Sequence, residues 1–229
     1  VKVQEQGIKK NVIAGFFWKA AESGGDQLLT FFISIILARL LGPEKYGTMS
    51  VMLIFITIAN VIIPNGFQTA LIQKKEINEA DLSSVFWVGL IISAVLYVLI
   101  FLTAPVTADF FGDPDIVPML RVLSLLLFTG SVVSVEMAIV ARKMSFGMQC
   151  RATILADIIS GAIGVAAALK GLGTWALILQ QLIKNAALML ILNISLGWRP
   201  MFIVSAERIG ALFSYGWKVL VSGLIDTIY

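Results

Sequence analysis

The stretch WKAAESGGDQLL, residues 18–29, places charged side chains inside a run, residues 12–41, that is otherwise almost wholly apolar. A run of this length predicts a membrane-spanning helix, because the hydrocarbon core needs roughly 20 residues. On a helix, Lys19, Glu22 and Asp26 share one face. A charge at the bilayer centre costs about 2.5–3.5 kcal/mol on insertion scales. This face is therefore predicted to line the interior of a helix bundle or a wet cavity.

Further apolar runs follow along the 229-residue chain, in which 59% of residues are hydrophobic and 14% are charged. Soluble domains carry about a quarter charged residues, so the composition predicts an all-α, polytopic transmembrane helical bundle. After an N-terminal segment at 1–11, the predicted spans are approximately residues 12–41, 48–72, 82–104, 117–141, 152–169, 174–196 and an incomplete 209–229. Because the last run continues to Tyr229, we expect the sequence to be a fragment of a longer polytopic protein.

The distribution of Lys and Arg predicts the orientation, since cytoplasmic connections carry an excess of positive charge. The N-terminus and the even-numbered connections contain Lys2, Lys9, Lys10, Lys74, Lys75, Arg142, Lys143, Arg151, Arg199 and Arg208. The opposite side has fewer: Arg39, Lys45, Arg121 and Lys170. The N-terminus is therefore predicted to be cytoplasmic.

Several kinds of chemistry are excluded from this stretch by composition. The sequence has no His and a single Cys, Cys150, so a disulfide scaffold, a thiolate zinc site or a Ser-His-Asp or Cys-His nucleophile cannot be assembled from it. All connections are short, so the functional groups must lie within the helices. We expect no catalytic residue, no metal, no nucleic acid and no cofactor, apart from a coupling proton or sodium ion.

Two interpretations of the charged stripe remain open. Lys19 lies near the start of its span and could reach the cytoplasmic interface, where it would form a simple ion pair with Glu22. Alternatively, Glu22 and Asp26 line the cytoplasm-facing end of a cavity and bind a cation or exchange a proton during transport. Gly24 and Gly25 weaken the helix between these carboxylates, so they are predicted as a hinge.

A second polar cluster, LQQLIKN at 179–185, lies near the middle of the sixth predicted span. Four polar residues there are spaced i,i+4 in pairs and cover one helix face: Gln180, Gln181, Lys184 and Asn185. Lys184 lies too deep in its span to reach water comfortably. It is predicted either to pair with Asp26 or Asp157 or to await an anionic ligand such as a pyrophosphate.

Other charged residues lie closer to the cytoplasmic ends of spans four and five. Glu136 and Asp157 could each pair with the basic fourth connection, which contains Arg142, Lys143 and Arg151. The positive-inside rule explains this connection without any ligand. A second interpretation assigns Arg142 and Arg151 to anionic lipid headgroups or to a substrate diphosphate, at about 1 kcal/mol per residue near the surface.

Three further residues mark possible functional positions in the first two spans. Pro64-Asn65-Gly66 interrupts the second span, and transporters use such breaks to expose backbone groups to polar ligands. Pro64 and Gly66 are therefore hinge candidates, with an ordinary kink as the other interpretation. Arg39, near the outer end of the first span, is predicted to extend to the interface and is a candidate path residue.

Six segments resemble one known family in their order and spacing: LARLLGPEKYG (37–47), GFQTALIQKKEINEADLSSVFW (66–87), AP and ADFFGDP (104–114), ARKMSF (141–146), GLGTWALILQQL (171–182) and GWRP (197–200). They resemble the polysaccharide-transporter branch of the multidrug/oligosaccharidyl-lipid/polysaccharide flippase superfamily. That branch includes Wzx-type O-antigen flippases and the colanic-acid and teichuronic-acid exporters. The resemblance covers essentially the whole chain.

The resemblance implies a two-lobed transporter of the MATE and MurJ type, with this chain as an N-terminal lobe of about six or seven helices. It implies alternating access that moves an undecaprenyl-pyrophosphate-linked oligosaccharide across the bacterial cytoplasmic membrane for surface polysaccharide biosynthesis. The implied partners are that lipid-linked oligosaccharide, membrane lipids, and the polysaccharide polymerase and export machinery.

Two alternative functions stay open at this point. One is a cation-coupled multidrug exporter of the same superfamily, which an isolated acidic site would favour. The other is a membrane-embedded transferase of the polysaccharide pathway, which the short connections and the lack of His disfavour. A cationic cavity would favour the lipid diphosphate, and Lys184 is the residue that points to this choice.

Overall fold

Helices account for all the regular structure in the part of the chain that the computed structural model describes. This part comprises residues 2–60, 71–72 and 77–202, with side chains from residue 15 onward apart from residue 16. The helices are α1 (Lys2–Asn60), α2 (Glu79–Phe111), α3 (Ile116–Leu123), α4 (Leu126–Arg142), α5 (Phe146–Leu169) and α6 (Thr174–Leu196). Five helical stretches among these residues, with α3 and α4 taken together, are long and apolar enough to cross a membrane. The predicted all-α class is confirmed.

Helix α1 folds back on itself at Gly42. This glycine has φ 76° and ψ 170°, and Pro43 follows it, a backbone conformation that essentially only glycine adopts. The Tyr46 hydroxyl donates a hydrogen bond to the Ser34 carbonyl at 3.1 Å, yet residues twelve apart are about 18 Å apart along a straight helix. The two halves of α1 therefore form a helical hairpin. A straight Phe17–Asn60 stretch would instead be about 66 Å long, roughly twice the hydrocarbon thickness.

Helix α5 lies between the first half of α1 and α6, and these are the two most extensive helix contacts among the described residues. Three contacts follow one another along α1 and α5: Gly15 with Phe146, Gly25 with Ile154, and Ile33 with Gly161. The two helices therefore run parallel. A Cβ atom at Gly161 would overlap the Ile33 side chain, so this glycine permits the close approach, as small residues do between membrane helices.

Helix α6 returns antiparallel to α5 after a short turn. Gly171 and Gly173 in this turn have φ angles of 78° and 59°, which favour glycine. Further along α5, a Cβ atom at Gly164 would lie only 3.0 Å from Cβ of Gln180 on α6. Glycines of α5 thus bring both neighbouring helices close to the same segment of this helix.

Helices α2, α3 and α4 form the other side of the bundle. α2 begins at a capping box, in which Asn78 N–H donates to Asp81 Oδ2 at 3.1 Å, and it ends at Gly112 in the left-handed conformation. The sequence predicts a single span at 117–141, whereas the structure has two helices separated at Ser124 and Leu125. There the Ser124 hydroxyl donates to the Arg121 carbonyl at 2.8 Å, a local bond that competes with regular helix geometry.

The outer face of α2 presents large apolar side chains to its surroundings. Residues spaced along this face are each more than half exposed: Val95, Val98, Leu102, Val106 and Phe110. Such a continuous apolar surface fits lipid rather than water. The chain is therefore a multi-pass helical membrane protein. The predicted residues Pro64 and Gly66, and the predicted span 209–229, lie outside the described residues.

Candidate functional site between α1, α5 and α6

Lys184 of α6 joins two carboxylates that come from two other helices. Its Nζ atom lies 2.7 Å from Oδ1 of Asp26 on α1 and 2.6 Å from Oδ1 of Asp157 on α5. We refer to Asp26, Asp157 and Lys184 as the charged triad. Lys184 was predicted either to pair with an aspartate or to await an anionic ligand. The structure shows the pairing, and both Asp26 and Asp157 take part in it.

The parallel register of α1 and α5 explains why these side chains meet. Asp26 directly follows Gly25, which contacts Ile154, and the Ile33–Gly161 contact lies further along both helices. Asp157 is therefore flanked by two close approaches of α1. The antiparallel return of α6 then places Lys184 beside Asp157, because Gln180 packs against Gly164 one to two turns away.

The charged triad carries one negative charge in excess when both carboxyl groups are ionised. Asp157 is 2% exposed, whereas Asp26 and Lys184 are 35% and 26% exposed. Oδ2 of Asp157 is buried without a hydrogen-bond partner among the described residues. A buried polar atom without a partner is costly, so this oxygen is where a proton or a small cation would be stabilised. Asp26 is the carboxylate open to the surroundings.

A second cluster surrounds Glu22, one helical turn before Asp26. Lys19 Nζ lies 2.6 Å from Oε2 of Glu22, and Oε1 accepts hydrogen bonds from Gln149 Nε2 at 2.9 Å and from Thr153 Oγ1 at 3.3 Å. We refer to these four residues as the glutamate cluster. Both oxygens of Glu22 are partnered and its charge is balanced by Lys19, so the simple ion pair is the interpretation that the structure supports here.

The remaining polar residues of α6 do not form the i,i+4 side-chain pairs suggested by their spacing. Asn185 Nδ2 donates to the backbone carbonyl of Gln181 at 3.2 Å, and Gln180 packs against Gly164. Lys184 turns to the two aspartates rather than to Gln180. The polar face of α6 therefore contributes a single charged group to the site.

The predicted pairing of Asp157 with the basic fourth connection is wrong, because Asp157 pairs with Lys184 on α6. Glu136 is fully buried and makes no ion pair with that connection among the described residues. Arg142 instead donates from Nη1 to the carbonyls of Leu71 and Ile72 at 3.1 and 3.2 Å. The depth of both carboxylates within the packed helices keeps them from the basic residues at the membrane surface.

Two other predicted positions show ordinary helix geometry. Helix α1 continues through Gly24 and Gly25, and its non-helical dihedral angles occur at Gly42, so a hinge at the glycine pair stays a prediction about motion. Arg39 is exposed on α1 just before Gly42. Arg151 is exposed on the second turn of α5. These arginines do not belong to the charged triad.

The sequence pattern named Asp157 as a candidate, but Gln149 and Thr153, which hold Glu22 from the same helix, were not predicted. Gln149, Thr153 and Asp157 recur at every fourth position and so lie on one helix face, and Gly161 continues it. Such a polar face on an otherwise apolar helix indicates that α5 packs against another polar helix face, here the face of α1 that carries Lys19, Glu22 and Asp26. Among the described residues, no group of three or more acidic or Cys side chains could hold a metal ion.

A bundle of apolar helices around a buried charged triad defines a helical multi-pass membrane protein with a polar centre. Its family follows from comparison with known proteins. The model of a family described as polysaccharide biosynthesis protein matches residues 36–229. The chain belongs to this family, and the resemblance to the polysaccharide-transporter branch is confirmed.

Three relatives carry names from surface polysaccharide biosynthesis. The succinoglycan biosynthesis transport protein ExoT of Rhizobium meliloti (strain 1021) is 28% identical over 96% of this chain and 44% of its own length. The teichuronic acid biosynthesis protein TuaB of Bacillus subtilis (strain 168) is 20% identical over 96% and 46%. The lipopolysaccharide biosynthesis protein WzxC of Escherichia coli (strain K12) is 27% identical over 52% and 24%.

The chain spans about half the length of the curated relatives that it matches from end to end. No solved structure matches the chain significantly. The charged triad and the glutamate cluster are therefore described from this structure alone.

Proposed function

We propose that the protein moves undecaprenyl-pyrophosphate-linked oligosaccharide repeat units across the bacterial cytoplasmic membrane by alternating access, for surface polysaccharide biosynthesis. The observation that carries this proposal is the match, over 96% of the chain, to a relative named as a succinoglycan biosynthesis transport protein. In this proposal the chain forms the N-terminal lobe of a two-lobed transporter, with a cytoplasmic N-terminus. The polysaccharide polymerase and export machinery would act on the transported unit.

Alternating access needs a site where ion binding changes how the helices are held together, and in this proposal the charged triad is that site. Three helices meet at one ion-paired centre with an excess negative charge and one unpartnered oxygen on Asp157. Binding of a proton or a sodium ion there would neutralise the excess charge and change how strongly Lys184 holds α1 to α6. A ligand can shift a conformational equilibrium only through such a difference between states. We therefore assign ion coupling to Asp26, Asp157 and Lys184.

A cation-coupled multidrug exporter is the second candidate, and the structure provides a reason to test it. Lys184 is neutralised by two aspartates, so in this structure it does not present a free cation to a lipid diphosphate. A site with net negative charge and a partly exposed Asp26 also suits a cationic drug. The polysaccharide proposal therefore rests on the family rather than on Lys184.

The test uses the intact protein in a polymer-deficient bacterial strain that lacks its own flippase. Surface polysaccharide is measured by lectin or antibody binding, and sensitivity to cationic dyes is measured in the same cells. Restored polymer with unchanged dye sensitivity is the expected result. Lower dye sensitivity without polymer would overturn the proposal and favour the drug exporter.

A further inference from the structure

A second polar region lies apart from the charged triad, where α1, the start of α5 and the end of α6 meet. It is a cavity of about 380 Å³, within the size range of small-molecule pockets. Six of its lining residues matter here: Trp18, Ser145, Arg151, Leu155, Ile191 and Ser195. No member of the charged triad lines it.

The lining changes from polar to apolar along α5 and α6. Ser145 immediately precedes α5, and Ser195 lies in the last turn of the antiparallel α6, so both hydroxyls are at the same end of the cavity. Leu155 lies about 15 Å further along α5 than Ser145, and Ile191 lies about 6 Å before Ser195 on α6. The cavity thus has a hydroxyl-bearing end and an apolar end along the helices, which is the polarity of a membrane lipid.

Arg151 gives this cavity an unbalanced positive charge. It is exposed, and among the described residues it makes no hydrogen bond or ion pair. Glu22, a nearby carboxylate on α1, is already held by Lys19 and by Gln149 and Thr153. No acidic side chain of the part of the chain that the structure describes lines the cavity. An arginine in this position recognises a phosphate well, because its guanidinium offers several fixed donors.

The cavity is open to the side at its apolar end. Leu155 is 49% exposed, so an acyl chain could leave the cavity there along the helix surface. Trp18 lies at the opposite end, against Gly147, where a tryptophan suits the headgroup region because its ring is partly apolar and partly hydrogen-bonding. The volume is sufficient for a headgroup and its first methylene groups, and too small for a chain of sugars.

We propose that this cavity binds an anionic glycerophospholipid, with its phosphate at Arg151 and an acyl chain beside Leu155 and Ile191. This lipid site is distinct from the charged triad. It does not depend on whether the transported cargo is a lipid-linked oligosaccharide or a cationic drug. The lipid would bridge α1, α5 and α6 at the membrane surface, next to the glutamate cluster. The other arginine considered for phosphate, Arg142, is occupied by two backbone carbonyls.

The test measures lipid retention by the purified intact protein in native mass spectrometry. Micelles contain phosphatidylglycerol and phosphatidylcholine in equal amounts, and farnesyl diphosphate is added in a second series. Arg151→Gln is compared with Lys143→Gln, which removes the same charge from an exposed residue outside the cavity. Leu155→Trp, which fills the apolar end without changing charge, is the second variant, and Arg151→Lys is included.

We expect wild type to retain phosphatidylglycerol in preference to phosphatidylcholine. Arg151→Gln should weaken this retention about fivefold, and Leu155→Trp should also weaken it. Arg151→Lys should weaken it less than Arg151→Gln, because lysine keeps the charge and loses the fixed donors of the guanidinium. Lys143→Gln should stay within about twofold of wild type. If Arg151→Gln and Lys143→Gln weaken phosphatidylglycerol retention equally, the lipid is attracted by the general surface charge, and the proposed site is overturned. Displacement of phosphatidylglycerol by farnesyl diphosphate would assign the cavity to a polyisoprenyl diphosphate and overturn the choice of a glycerophospholipid.

Discussion

Glu22 and Asp26 lie one turn apart on the same face of α1, yet their surroundings differ in charge and in hydrogen bonding. Glu22 accepts three contacts from Lys19, Gln149 and Thr153, and its charge is balanced. Asp26 shares one lysine with Asp157, and this second carboxylate keeps an oxygen without a partner among the described residues. Two carboxylates on one face of α1 thus belong to different environments: Glu22 has all its partners, whereas Asp26 belongs to a cluster in which Asp157 on α5 lacks one.

This difference separates a structural cluster from a functional one. A buried polar group with all its partners stabilises a single arrangement. A centre with excess charge and a free acceptor is stable only when another ion joins it or when the helices move apart. We therefore expect substitutions in the glutamate cluster to change stability alone, and substitutions in the charged triad to change transport as well.

Removal of the shared cation should have the largest effect on stability. In Lys184→Met, Asp26 and Asp157 face each other without a positive charge, and breaking a buried ion pair costs about 3–5 kcal/mol. We expect a clear fall in the thermal midpoint of the purified intact protein. Replacing both aspartates by Leu in the same variant should restore most of the midpoint without restoring transport. An unchanged midpoint in Lys184→Met would show that the triad does not hold the helices together.

Widening the contact between α1 and α5 should have the next largest effect. A side chain at Gly161 must displace Ile33, so we expect Gly161→Val to lower the free energy of unfolding by about 1–3 kcal/mol and to reduce transport by separating Asp26 from Asp157. Ile33→Ala in the same chain should recover part of both. Gly47→Val is the matched control, because nothing lies within 4 Å of the added Cβ. Similar losses from Gly47→Val would contradict this packing explanation.

Neutralising the structural carboxylate should have a smaller effect. Glu22→Gln keeps an oxygen for Gln149 and Thr153 and loses the ion pair with Lys19, which is 54% exposed. Exposed ion pairs contribute about 0–1 kcal/mol, so we expect a slight decrease in the thermal midpoint and normal transport. A loss of transport at normal protein abundance would place Glu22 with the functional residues.

The smallest effect is expected from Lys19→Gln. The lysine is half exposed, and Glu22 keeps two neutral donors without it. Thermal midpoint and transport should both lie close to wild type, and the small change in midpoint should shrink further at high salt because exposed charges are screened. A change larger than that of Glu22→Gln would mean that the buried Glu22 carboxylate depends on Lys19 to balance its charge.

The sequence predicted the helical class and the residues of the charged stripe, because helical spacing alone places Lys19, Glu22 and Asp26 on one face. It also named Asp26 and Asp157 as possible partners of Lys184. It could not decide that both would be used, since that depends on the register of α1 against α5. The register is set by close contacts at Gly25 and Gly161, which hydrophobic patterning does not reveal.

The break of α1 at Gly42 falls between the predicted spans 12–41 and 48–72, and the structure shows the hairpin there through the Tyr46–Ser34 contact. The division of one predicted span into α3 and α4 was not predicted, because Ser124 has no strong breaking signal in the sequence. Glu136 was predicted to pair with the basic fourth connection, but it is fully buried. Its burial depends on the packing of neighbouring helices, which the pattern of a single sequence does not show.

The most direct test of the division between the two clusters is surface polysaccharide in the flippase-deficient strain, with Asp26→Asn compared with Glu22→Gln in the intact protein at matched membrane abundance. Both changes remove one carboxylate charge from the same face of α1. We expect Asp26→Asn to abolish the polymer and Glu22→Gln to retain most of it. Equal polymer from the two variants, whether both active or both inactive, would contradict the assignment of function to the charged triad.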